Sequence, residues 1–338
     1  MPALPAGLQS LSCYSDSLSA LPALPSALTS LNCEINELTS LPTLPHGLIS
    51  LECGTNIITS LPALPSTLQT LSCLQNQIST LPSLPASLTY INCNTNLLTG
   101  IPALPVALQS LYCAFNQVDS LPSLPSQLKV LDCSFNHIRL LPTLPSALEN
   151  LSCNDDSITS LPDFPTSLTN FNGSFNQLTY IPALPDSLHN FDVSNNTMLA
   201  CMPKLNRIVS LNFTNTNVKC LFDTGNVTTS NPALNTLPLC SDSNPNGCIP
   251  TGLYSTPGDG IQMSLYPNPT SNYTVVDVDD NITNSLLELN DATGRVILRK
   301  QITTNKYQLE TGGLAKGMYL VCVTTQGKYR TVKKLVID

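Results

Sequence analysis

Apolar residues recur through the first two thirds of the chain with a fixed period. In one unit Leu28, Leu31, Cys33, Leu38, Leu41 and Leu44 are separated by small or polar residues, and Pro42 and Pro45 follow the last two leucines. Cysteine returns at Cys13, Cys33, Cys53, Cys73, Cys93, Cys113, Cys133 and Cys153, always 20 residues apart. The phase decays but persists through Ile208, Leu211, Phe213, Thr216 and Val218, which makes about eleven coils. Within a coil, Leu31 and Cys33 alternate with Ser30, Asn32 and Glu34. That is strand periodicity, with one face buried. The expected fold is mainly β: a solenoid with one short parallel strand per coil, because a single unit cannot bury its apolar stripe alone but stacked units can. The prolines hold the convex return in an extended polyproline II path. With strands about 4.8 Å apart, eleven coils span roughly 50 Å.

Asparagine follows the same period at Asn36, Asn56, Asn76, Asn96, Asn116, Asn136, Asn176 and Asn196. An amide in an internal column can hydrogen-bond turn backbone that would otherwise be unsatisfied. Asp16, Asp156 and Thr216 occupy this phase as weaker versions of the device. Where the cysteine column gives way to Gly173, the neighbouring leucine becomes Phe171. The two changes together conserve core volume. The pattern Leu-x-x-Leu-x-Cys-x-x-Asn-x-Leu, closed by Leu-Pro-x-Leu-Pro, resembles the short bacterial type of the leucine-rich repeat family. The resemblance covers residues 2 to about 220.

Eight aligned thiols raise the question of metal or disulfide chemistry. Ligands stacked in one line do not converge into a tetrahedron. Parallel in-register strands point their Cβ atoms the same way, whereas a disulfide needs them to converge. The column is therefore read as buried thiols packing as small apolar groups, and no metal or other cofactor is expected. Cys201, Cys220, Cys240 and Cys248 fall out of phase, where the repeat decays and its core must be sealed. Four cysteines allow three pairings, Cys201–Cys220 with Cys240–Cys248 among them, or four capping thiols. His46, His137 and His189 occupy different phases and read as surface residues. No nucleophile–base or paired-carboxylate constellation is visible, so no enzyme is expected.

Charge sharpens the picture. Residues 1–200 hold 12 acidic and 2 basic residues, net −10, and the whole chain is −8. A nucleic-acid surface needs the opposite sign. No apolar run reaches the roughly 18 residues of a membrane helix. Residues 221–248 are expected to cap the solenoid of residues 1–220. Residues 249–260 form a Ser-, Pro- and Gly-containing linker. Residues 261–338 differ in balance, with 7 acidic and 9 basic residues, net +2. Two hairpin signals and about seven short strands suggest a small β-sandwich there.

This last segment resembles the C-terminal sorting domain of type IX secretion. The matching residues are Leu265, Tyr266, Pro267, Asn268 and Pro269 near its start, the turn ending at Gly294, the run from Leu314 through Gly317 and Tyr319, and the ending Lys333, Lys334, Leu335. The resemblance implies export across an outer membrane by the type IX machinery, with release or attachment to the cell surface. Met1 enters the repeat in mid-phase without a basic, apolar export leader. A truncated or mature chain, with the core of its first coil exposed, is the expectation.

Leucine-rich repeats bind through the strand-lined concave face. The outward positions are expected to be those equivalent to residues 10, 12, 14 and 15, mostly Ser, Thr, Asn and Gln. Tyr90 and Tyr112 stand on this face in the middle coils. Phe115 and Phe135, with Phe175 two coils on, either join it or pack beneath the turn as core. Aromatics among hydroxyls and amides suit a protein hot spot or a sugar platform. The expected function is a secreted or surface-attached module, acting as a monomer, that binds a protein or glycan. The alternative is an envelope spacer without a defined ligand.

Overall fold

The computed structural model describes residues 2–205, 207–221, 225–239, 263–278, 285–291, 296–325 and 329–337. Two units divide at Cys248 and Ile249. The first is built on one parallel sheet of twelve strands in sequence order. Eleven of these are three-residue strands spaced 20 residues apart, from β1 (Ser10–Ser12) to β11 (Ser210–Asn212). Their register is residue for residue, as in the pairing of Leu11 with Leu31. The leucines and cysteines facing inward form one continuous core, with Leu31, Cys33 and Leu38 and most of their equivalents fully buried. In the first coil Leu8, Leu11 and Leu18 are only partly buried.

A twelfth strand, β12 (Thr229–Asn231), lies in the segment expected to be a cap. It pairs with β11 through Ser210 and Thr229, an offset of 19 residues, and presents Ser230 where the other strands place a leucine or its equivalent. Backbone pairing needs no apolar side chain, so a pattern of apolar residues could not signal it. Between Cys153 and Cys220 the core is filled by larger groups. Phe171 contacts Phe164 and Phe191 with ring centroids 4.9 and 5.6 Å apart. A Cβ placed on Gly173 would sit 2.5 Å from the Phe171 ring. The ring thus fills the space a cysteine side chain would need.

The eight column cysteines are free and buried. Burial pushes the Cys73 thiol up to about 12. Burial, then Cys13 and Glu34, do the same at Cys33. Cys201 and Cys220 are disulfide-bonded; Cys240 and Cys248 lie outside the described residues. His46, His137 and His189 are exposed.

The asparagine column closes the turn of nearly every coil. Asn56 shows the pattern: its Nδ2 donates to the carbonyls of Cys33, Cys53 and Gly54 at 3.0–3.1 Å, and its Oδ1 accepts from the Leu38 N–H at 3.0 Å. Asp156 keeps only the accepting half, with the Ile138 N–H at 2.9 Å from its Oδ1. Its Oδ2 is buried without a partner. Burial therefore raises its pKa to about 7, despite the N–H groups of Ile138 and Asn136 that pull it down, with Asp155 and Asp132 adding to the rise. Protonated, Oδ2 would regain the donor an asparagine supplies.

The second unit holds seven antiparallel-paired strands in two sheets. One comprises β13 (Met263–Tyr266), β14 (Tyr273–Val278) and β17 (Lys306–Glu310). The other runs β16 (Val296–Ile302), β15 (Ser285–Asp291), β18 (Gly317–Thr325) and β19 (Tyr329–Ile337). Val276, Leu287, Val321, Val323 and Leu335 are fully buried in one core of this unit.

Two predictions test this packing. Gly173→Cys should destabilise the solenoid by about 1–3 kcal/mol through overpacking. Adding Phe171→Leu should recover most of that loss, so the coupling in a double-mutant cycle of melting curves is the measurement. Asp156 should lower stability as pH rises from its unfolded pKa near 4 to its folded value of about 7. Asp156→Asn should remove that slope in denaturant titrations at pH 4 to 8. The site is partly open to water, so the gain at pH 8 should be about 1–2 kcal/mol rather than the ~4 kcal/mol of a fully buried shift.

Candidate functional site

The polar face of the twelve-stranded sheet is set by strand alternation. Residues in phase with 10 and 12 leave the core, while those in phase with 11 and 13 enter it. Tyr90 lies on β5 (Tyr90–Asn92) and Tyr112 on β6 (Ser110–Tyr112), both half-buried. Their rings meet at a tilted 46° with centroids 5.7 Å apart. Burial, then Tyr90 and Asp132, raise the Tyr112 pKa, so its hydroxyl stays protonated at neutral pH and able to donate.

The next two phases behave differently from each other. Residues in phase with 14 are outward in some coils and buried in others: Tyr14 is exposed and Glu34, Leu74, Asn94 and Asn154 are half-buried, whereas Ala114, Ser134, Ser174 and Ser194 are buried. Residues in phase with 15 are outward, so Phe115, Phe135 and Phe175 do not pack beneath the turn. They are 51%, 38% and 53% exposed. The cause is backbone conformation. Every coil places this residue at positive φ, 55° at Phe115 and 54° at Phe135. Beneath the turn, the asparagine column takes the interior position. Phe115 and Phe135 stack at 4.1 Å with planes 10° apart. A left-handed residue other than Gly or Asn costs roughly 1–2 kcal/mol, so these two rings occupy strained backbone while facing water.

A second feature carried no strong sequence signal. Between β8 (Asn150–Ser152) and β11 the face sinks into a groove of about 240 Å³. Along one wall the Asn170 amide donates to Asn150, and that of Asn190 to Asn170. Along the other, Asn172 donates to Asn154, and Asn212 to Asp192 at 2.9 Å. Phe171 and Phe191 form the floor. The only hint in the sequence is that asparagine replaces the usual serine at three successive phase-10 positions. No cation lines this groove. Among the described residues no group of His, Cys, Asp or Glu could hold a metal ion, and no helix is long and apolar enough to cross a membrane.

In the second unit the remaining sequence-predicted residues cluster around two contacts. The Tyr266 hydroxyl donates to Asp277 Oδ2 at 2.9 Å, and Lys306 pairs with the same carboxylate at 3.0 Å. Lys306 first, then Tyr266, holds Asp277 below the usual carboxylate range. Pro267 offers its carbonyl to Thr274 Oγ1 at 2.9 Å, and the Asn268–Pro269 pair follows in the same turn. Asn268 reaches the backbone of Lys334 and Val336. Gly317 opens β18 at φ 150°, a conformation that favours glycine. The Tyr319 hydroxyl donates to the Ala315 carbonyl at 2.9 Å. Lys333 and Lys334 are exposed on β19. Gly294 lies outside the described residues.

Residues 264–338 match the family described as the secretion system C-terminal sorting domain. The chain joins a solenoid of 20-residue turns, whose structural neighbours are leucine-rich repeat proteins, to a secretion sorting domain. A domain of this kind marks its carrier for export by type IX secretion to the cell surface or beyond. The repeat solenoid is similar to YopM from Yersinia enterocolitica WA-314, with 35% identity and a TM-score of 0.65 over 68% of this chain and 52% of that one. It is also similar to YopM from Yersinia pestis, described as a leucine-rich effector protein, with 33% identity and a TM-score of 0.62 over 65% of this chain and 64% of that one. This chain thus spans between half and two thirds of those proteins. No curated protein matches it. Repeat solenoids of this fold are in general protein-binding modules, and neither unit is an enzymatic kind of fold.

Deleting residues 261–338 should hold the rest of the chain in the periplasm of a bacterium with a type IX system, read by fractionation and surface protease accessibility. Unchanged surface delivery would refute the sorting assignment.

Proposed function

We propose that this protein is an exported binding module that recognises a protein or glycan through the concave face of its solenoid. The observation that carries the reading is the Tyr90–Tyr112 pair, two half-buried aromatic rings in contact at the middle of a polar strand face. Phe115 and Phe135 extend the aromatic surface around the turn beside them. Aromatic side chains with polar tips anchor interfaces because they bury large area at small entropy cost. The acidic balance of the repeats favours neutral or basic partners over anionic ones, an effect that decays over a Debye length of about 8 Å at physiological salt. In this reading the second unit is the address and the first is the cargo.

The test is binding of the purified chain to arrays of neutral glycans and of surface proteins, followed by Tyr112→Ala against whatever is captured. Removing a central aromatic anchor should weaken binding by about 2 kcal/mol, roughly thirty-fold. The melting temperature should stay close to that of the parent, since the side chain lies outside the core. A large fall in melting temperature without a specific loss of binding would place Tyr112 in the core and overturn the assignment of the face. A chain that captures nothing on either array, in contrast, would favour an envelope spacer.

A further inference from the structure

Asn268 sits in the turn between β13 and β14, yet its side chain works on the last strand of the chain. Its Nδ2 donates to the Lys334 carbonyl at 2.6 Å, and its Oδ1 accepts from the Val336 N–H at 2.9 Å. Two residues on, the Thr270 N–H donates to the Val336 carbonyl at 2.9 Å, and Thr270 bridges to Ile337. β19 is the outermost strand of its sheet, paired on its other side with β18. An edge strand presents a row of N–H and C=O groups with no neighbour. One primary amide meets two of them at once, because it carries a donor and an acceptor side by side in the same small plane.

The turn that holds Asn268 is itself anchored in the other sheet. Thr274 Oγ1 donates to the Pro267 carbonyl, and the Thr270 hydroxyl donates to the Tyr273 carbonyl. Thr270 and Thr274 are both buried. The Tyr266 hydroxyl is tied to Asp277. The segment is thus fixed to β14 on one side and reaches across to β19 on the other. The strand it reaches is the one that exposes Lys333 and Lys334.

We infer that Asn268 is a positioning residue for export: it locks the carboxyl-terminal strand in place, so that the machinery meets Lys333 and Lys334 on a fixed sheet edge. The inference rests on the sorting assignment of residues 264–338 and gives one residue of its opening motif a task. Asn268 acts through β19, with no contact to the machinery required of it.

The experiment uses the full chain behind a cleavable export leader in a bacterium with a type IX system. It compares Asn268→Ala, Asn268→Asp and Val276→Ala. Val276 is fully buried on β14, in the sheet that does not contain β19. In purified protein, Asn268→Ala should speed amide exchange at Val336 by roughly tenfold to a hundredfold, because two hydrogen bonds at the strand end are lost. Asn268→Asp keeps an acceptor for the Val336 N–H and should show a smaller increase. Surface delivery should fall about tenfold with Asn268→Ala and less with Asn268→Asp, in proportion to local opening of the strand. It should survive Val276→Ala at an equal loss of melting temperature. Normal delivery with fast Val336 exchange overturns the inference. So does an equal loss of delivery in Val276→Ala, which would trace the effect to general stability. If Asn268→Ala does not accumulate, Asn268→Asp decides on the same two readouts. Full delivery of a chain lacking residues 261–338 would fell the sorting assignment itself, an outcome distinct from both.

Discussion

Each coil of the solenoid must turn sharply after its strand, and the turn leaves carbonyl and N–H groups inside the protein where no neighbouring strand reaches them. Unpaired, each such group would cost about 1–3 kcal/mol. In most coils one asparagine answers for them, donating to carbonyls of its own coil and of the coil before, and accepting an N–H from the coil before. Its partners lie both 3 and 23 residues back, in its own coil and in the coil before. The amide column therefore locks each turn onto the one before it, and that stacking sets everything carried on it. The strands pair without offset, the cysteines align, and the outward residues fall into straight rows. Asp156 shows the constraint by violating it, with one oxygen left buried and alone.

Much of this architecture was legible because a repeat multiplies a weak local signal. The strand positions, the inward cysteines, the amide column and the exchange of volume between Phe171 and Gly173 could all be read from spacing, since each is a statement about which residues share a phase. What escaped was whatever phase does not determine. β12 pairs by backbone alone and carries no leucine. The phase-15 side chains are thrown outward because the turn residue has positive φ, and that conformation left no mark in composition: Ile35, Thr55, Gln75, Phe115 and Asn195 all adopt it. The stacked phenylalanines are therefore a surface feature that hydrophobicity alone assigns to the core. The asparagine groove was missed for the opposite reason, since amides on a polar face look ordinary until the hydrogen bonds joining them are seen.

The sorting unit reverses the balance between motif and fold. Its motif residues were recognisable in sequence, but their purpose was not, because the partners are more than sixty residues apart in the chain and meet only when two sheets fold. Once they meet, the logic is the one already at work in the solenoid. A side-chain amide completes the hydrogen bonding of a strand or turn that has no further backbone to pair with. In the repeats the device is internal and repeated. In the sorting unit it is single and placed at the carboxyl-terminal edge.

The row of eight free thiols has a consequence of its own. Burial suppresses their ionisation, and a thiol that does not ionise neither attacks nor oxidises readily. The row is inert only while the coils remain stacked. In a solenoid each coil touches only its neighbours, so a stretch of coils can loosen while the rest stay stacked. The chain thus carries a gauge along its axis: the cysteines that become reactive record, coil by coil, where the stack has come apart.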